Sequence, residues 1–141
     1  MEVQLYYRKA KVLRVIDGDT LELDVDWGKK IHTNPDELRM YGIDAPESRR
    51  RKPGMTNEEW VAEKAAGLKA KARLQELVGG KTVLIRTIKV DDPTEKYGRL
   101  LAEVRLIIKE NPDGIIVAEE TTVGQTLVGE NLAKPYFGGA R

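Results

Sequence analysis

The stretch Arg39-Met40-Tyr41-Gly42-Ile43-Asp44-Ala45-Pro46-Glu47 puts one guanidinium and two carboxylates on a strand and the turn that ends it. Leu38 and Met40 alternate with Arg39 and Tyr41, the two-residue period of a half-buried strand, so Arg39 is expected to face away from its apolar neighbours. Gly42 allows a bulge or a close backbone approach. Pro46 lacks an N–H and pushes Ala45 into an extended conformation, so Asp44 and Glu47 sit on a stiff turn. Taken alone, the tetrapeptide reads more readily as a strand-ending turn with solvated charges.

A second acidic turn lies upstream, in Val15-Ile16-Asp17-Gly18-Asp19-Thr20-Leu21. Asp-Gly is a strong hairpin signal, which by itself calls for nothing more than a β-turn. Asp19, however, is an additional charge where a strand should begin, a place that disfavours aspartate. If Asp19 and Asp44 met at ~4 Å, their repulsion at an effective dielectric of ~20 would be about 4 kcal/mol, and a bound cation would reverse its sign.

At 141 residues the chain has the length of one domain, 1–141, with material for a real core. It has no cysteine, which removes disulfides, thiolate metal sites and a cysteine nucleophile, and its one histidine, His32, excludes paired-histidine metal motifs. Chemistry therefore falls to carboxylates, arginines and hard metals. The net charge of +1 means that a nucleic-acid partner requires the basic residues to be gathered on one face. No long apolar run and no leader pattern is visible, so no membrane association is expected, and an intracellular or virus-encoded origin is favoured over secretion.

The remaining sequence reads as a succession of elements. Val3 to Ile16 holds a first strand, and Leu21 to Trp27 alternates cleanly as a second. Gly28 to Glu37 reads as a polar connection with His32 as an exposed loop residue, and Leu38 to Ile43 as a third strand. Arg49-Arg50-Arg51-Lys52 is either a solvated loop or a mobile basic lip that touches phosphates. Thr56 and Glu59 have capping-box spacing, and an alanine-rich helix runs to Val78 before Gly79-Gly80. The stripe Ala62, Ala66, Ala70, Leu74 and Leu77 is preferred as its core face over Val61, Ala65, Leu68 and Ala72. Strands follow over Thr82 to Val90, Leu100 to Ile108 and Ile115 to Val117, then a short helix within Thr122 to Leu132 and a tail from Pro135. This order predicts an α+β domain around a largely antiparallel sheet.

The three charged motifs together, Asp17-Gly18-Asp19-Thr20, Arg39 running into Asp44-Ala45-Pro46-Glu47, and Lys96-Tyr97-Gly98-Arg99, resemble the signature of the staphylococcal nuclease-like (thermonuclease) family. The resemblance spans about Lys11 to Tyr136. It implies an OB-type five-stranded β-barrel with two packed helices, here lacking a long C-terminal third helix, and calcium-dependent cleavage of DNA and/or RNA phosphodiesters. It further implies that Asp19, Asp44 and the Ala45 carbonyl bind one Ca²⁺, with Asp17 in support or acting through water. Glu47 positions or deprotonates the attacking water, Arg39 and Arg99 hold the reacting phosphate, and Lys96, Tyr97 and Tyr136 bind substrate. A monomer is expected.

These residue types suit the reaction. Hard oxygens favour Ca²⁺ or Mg²⁺ over zinc or copper, and two-pronged guanidinium groups complement a phosphate gaining charge. Alanine at Arg39, Arg99 or Glu47 is expected to cost cleavage about a hundredfold or more while leaving the chain folded. Two other readings stand beside this one. The domain could be a weak or inactive OB-type module that binds nucleic acid or protein, or a hydrolase of small phosphate esters.

Overall fold

The computed structural model describes residues 7–88 and 99–137. Strands β1 (Tyr7–Asp17), β2 (Thr20–Gly28) and β3 (Ile31–Met40) form an antiparallel meander, and β5 (Thr82–Thr87) and β6 (Leu100–Glu110) continue it from the free side of β1. Parallel pairing of β3 with β6, Leu38 opposite Leu100 and Met40 opposite Ala102, closes these five strands into a barrel. A short β7 (Ile116–Ala118) extends β6. This is the α+β, OB-type architecture that the order of elements and the family resemblance implied.

The inward period-two positions, Leu21, Leu23 and Val25 with Val83, Ile85, Ala102 and Val104, are essentially inaccessible and form the core. Helix α1 (Asn57–Val78) covers one side of the barrel and starts at Thr56 with the expected reciprocal cap to Glu59. Helix α2 (Val123–Gly129) starts likewise, with Thr122 and Gln125, and contributes Val123 and Leu127 to the core. Among the described residues no helix is long and apolar enough to cross a membrane.

Several boundaries differ from the sequence reading. The polar connection before Arg39 is mostly strand: β3 begins at Ile31, and His32 is an exposed strand residue rather than a loop residue. The β2–β3 turn is only Lys29-Lys30, both left-handed at φ 52 and 64, a conformation usually announced by asparagine or glycine. The extra residue around Asn34-Pro35 is absorbed by a register shift against Leu23 and Val25. The third strand also breaks at Tyr41. Gly42, at φ +88, redirects the chain into β4 (Gly42–Asp44), which leaves the barrel to pair with β8 (Lys134–Tyr136), the segment read as a tail. Pro135 tolerates this two-stranded sheet because it has no second neighbour awaiting its N–H. The short helix ends at Gly129, before the left-handed Asn131.

The core face of α1 is Gly67, Ala70, Leu74 and Val78, with Leu77 half-buried, whereas Ala62 and Ala66 are exposed. The stripe fails in the first half of the helix because that half lies against backbone. A Cβ on Gly67 would come within 2.5 Å of the Glu47 carbonyl oxygen and 2.7 Å of that of Pro46. Apolar periodicity does not register a neighbour that is main chain.

Candidate active site at two acidic turns

The hairpin loop between β1 and β2 is Gly18-Asp19, flanked by the paired Asp17 and Thr20. Asp19 therefore occupies the turn rather than the start of a strand. Gly18 is not left-handed, so backbone conformation does not account for it. Space does: a Cβ there would stand 2.7 Å from that of Ala70 and 2.9 Å from that of Ala45. Three small residues thus bring the first turn, the second turn and α1 into contact.

Arg39 faces opposite to Leu38 and Met40, as the alternation predicts, yet it is only 2% exposed, because the two turns close over it. Its Nη2 donates to Asp19 Oδ2 at 3.5 Å, to Asp44 Oδ1 at 3.3 Å and to the Ile43 carbonyl at 3.2 Å. Asp19 also accepts from the Ala45 N–H at 3.0 Å and the Thr20 hydroxyl at 2.9 Å. Both carboxylates are largely buried around one guanidinium nitrogen, and long contacts of this kind share a single charge between two acids. The Tyr136 ring lies 5.9 Å from the Arg39 guanidinium carbon, which brings β8 to the site.

Asp17 stands beside the two carboxylates and braces the turns. Its carboxylate accepts from Ser48 Oγ at 2.7 Å and from Arg49 Nε and Nη2 at 3.0 and 2.7 Å, tying the first turn to the residues just after the second. That bond raises the Arg49 pKa. The basic segment is accordingly pinned: besides Arg49, Arg51 donates to Asn57 and to the Met55 carbonyl, and Lys52 faces Glu63 at 3.6 Å. Arg49, Arg51 and Lys52 thus lie beside the second turn, each with a partner.

Glu47 follows on the second turn. Burial, then the nearby Asp17 and Asp19 carboxylates, push its carboxyl above the ordinary range, while Lys52 and Arg49 pull the other way. Its backbone N–H donates to Glu63 on α1 at 2.8 Å. Arg99, just before β6, lies 3.6 Å from Glu37, two residues before Arg39 on β3. Lys96 and Tyr97 fall outside the described residues. Ser48, Arg49, Glu63 and Gly67 were not singled out for the site from sequence; only the run of basic residues hinted at any of them.

The donor set brought together here, two carboxylates with an adjacent main-chain segment, is all oxygen and suits a hard divalent cation. Among the described residues no group of three or more acidic, histidine or cysteine side chains is arranged to hold a metal, so the Ala45 carbonyl and solvent would have to complete the shell around Asp19 and Asp44.

A five-stranded OB-type barrel with two helices, carrying acidic turns over a buried arginine, defines the nuclease-fold class of domain. The chain belongs to the staphylococcal nuclease homologue family, whose model matches residues 37–140. Arg39, Asp44, Glu47 and Arg99 lie inside the match; Asp17 and Asp19 precede it and are joined to the site by the fold. No curated protein matches the chain.

Proposed function

We propose that this domain is a calcium-dependent nuclease that hydrolyses phosphodiester bonds of DNA and/or RNA by in-line attack of water. The observation that carries the reading is the convergence of Asp19 and Asp44 on the buried Arg39, with Glu47 on the same turn as Asp44. Asp19, Asp44 and the Ala45 carbonyl are the residues that would hold one Ca²⁺. A bound Ca²⁺ supplies Lewis acidity at a phosphoryl oxygen. Glu47 orients the attacking water and accepts its proton, a task suited to a carboxyl whose basicity is raised by burial. Arg39 and Arg99 neutralise charge developing on phosphorus. Tyr136, beside Arg39, supplies an aromatic face for the substrate, and Lys96 and Tyr97 are assigned to substrate through the family resemblance.

Nicking of supercoiled plasmid and cleavage of a labelled RNA, each with Ca²⁺ and with chelator, test the reading. Chelator-sensitive cleavage that falls at least a hundredfold in Arg99→Ala and Glu47→Ala is the expected outcome. Equal rates with and without divalent ion would reject it. A second reading, a nucleic-acid-binding or interaction module without catalysis, is favoured by one observation: Arg39 is already engaged by two carboxylates and Arg99 by Glu37. Binding of single strands without any cleavage would establish that alternative.

A further inference from the structure

We propose that Glu63 of α1 is a positioning residue for Glu47, acting through the Glu47 backbone rather than on the substrate; the inference rests on the role given to Glu47 above. Beyond Asp44 no sheet ladder holds the second turn, because β4 ends there. Upstream the turn is held by the Ala45 N–H on Asp19 and by Pro46, and downstream by the Ser48 and Arg49 contacts, but none of these bonds the Glu47 main chain itself. The helix supplies what the sheet does not. Glu63 Oε2 accepts the Glu47 N–H at 2.8 Å, and Gly67, four residues on and therefore on the same helix face, leaves the space that the Pro46 and Glu47 carbonyls occupy.

The two helix residues thus address both polar groups of Glu47's main chain, an acceptor for its N–H and an open notch for its carbonyl. Lys52, 3.6 Å from the same Glu63 oxygen, faces it from the loop that follows. A general base must be held within a fraction of an ångström of its working position, and a displacement of about 1 Å costs on the order of a hundredfold in rate. Loss of the Glu63 acceptor should therefore reduce turnover without weakening substrate binding, since among the described residues Glu63 bonds the Glu47 main chain and faces Lys52, not the groups assigned to the phosphate.

Two measurements on the intact chain test this. The first is exchange of the Glu47 amide hydrogen, followed by NMR. It should be protected in the wild type, accelerate about tenfold or more in Glu63→Ala, and return towards wild type in Glu63→Gln, whose amide oxygen accepts the same bond. The second is cleavage kinetics. Glu63→Ala and Gly67→Ala should lower kcat about ten- to hundredfold with KM unchanged, Glu63→Gln should recover most of the loss, and Glu63→Ala should add nothing to Glu47→Ala. Unchanged Glu47 exchange in Glu63→Ala overturns the positioning role whatever the cleavage result. An exchange response in a chain that shows no divalent-dependent cleavage retains the tether and removes the nuclease reading. A further loss when Glu63→Ala is added to Glu47→Ala would mean that Glu63 acts elsewhere.

Discussion

Removing the Arg39 guanidinium should lower the stability of the fold as well as the rate of the reaction. The side chain is 2% exposed and the two carboxylates that it serves are each 12% exposed, so the group that would be lost balances two mostly desolvated charges. Breaking a buried pair by deleting one partner typically costs about 3–5 kcal/mol, because the other charge remains without compensation. Here two such charges would remain and would also repel one another, by roughly 2–4 kcal/mol at separations of about 4–7 Å and an effective dielectric of ~20. Part of that cost is avoidable if the turns relax or one acid takes up a proton. With a urea slope of about 2 kcal/mol per molar, the unfolding midpoint in chelator should fall by roughly 2 M. Calcium should then act unequally. A divalent ion replaces the missing guanidinium, and at about a hundred times its Kd it returns about 2.7 kcal/mol. The assay is urea unfolding of wild type and Arg39→Ala, each with chelator and with millimolar Ca²⁺. Equal midpoints for the two proteins in chelator would refute the buried-charge argument, and equal shifts with calcium would refute the placement of the ion between Asp19 and Asp44.

Three further outcomes follow from the same contacts. Glu47→Gln should lower the cleavage rate by about 10² to 10⁴ while raising stability at neutral pH. The Glu47 carboxyl is raised in the folded state, so the native chain binds more protons above the ordinary value of 4.5, stability falls as pH rises through that window, and the advantage of Gln over Glu should vanish in unfolding curves below pH 4.5. His32, raised by its 2.7 Å contact with Asp24, should titrate above 6.5 by NMR and revert in Asp24→Asn. The stability linked to His32 is fully present below pH 6.5 and lost as pH rises through its folded pKa; that linked to Asp24, whose carboxyl His32 lowers, is present above 3.8 and lost as pH falls through its depressed value. Gly18→Ala should cost about 1–3 kcal/mol by overpacking against Ala45 and Ala70, and Ala70→Gly in the same chain should recover part of it in a thermal double-mutant cycle.

Those parts of the fold that depend on side-chain period were legible in the sequence. Leu21, Leu23 and Val25 alternate and are buried; Thr56 and Glu59 mark a cap and form one. Asp19, Arg39 and Asp44, carried over from the motifs, do converge. What sequence could not convey was contact with backbone and the choice between equivalent polar partners. Gly67 is small because a carbonyl lies over it, and Gly18 because two alanines do, whereas a glycine in an Asp-Gly pair suggests only a turn. The motif marks Asp17 only as a supporting acid; that Ser48 and Arg49, more than thirty residues on, donate to its oxygens is a pairing the sequence does not announce. Two lysines in left-handed conformation replaced the glycine-containing turn that would have revealed the length of β3.

The pairing of β4 with β8 sets an order on assembly. Gly42, Ile43 and Asp44 are matched to Tyr136, Pro135 and Lys134, about two thirds of the chain away. Contacts so remote in sequence form after local hairpins and helices, because the entropy of closing the intervening loop must be met first. A growing polypeptide that has already exposed both aspartate turns and α1 still lacks the strand that anchors Asp44, so the final placement of that turn beside Arg39 waits on synthesis of the last described segment.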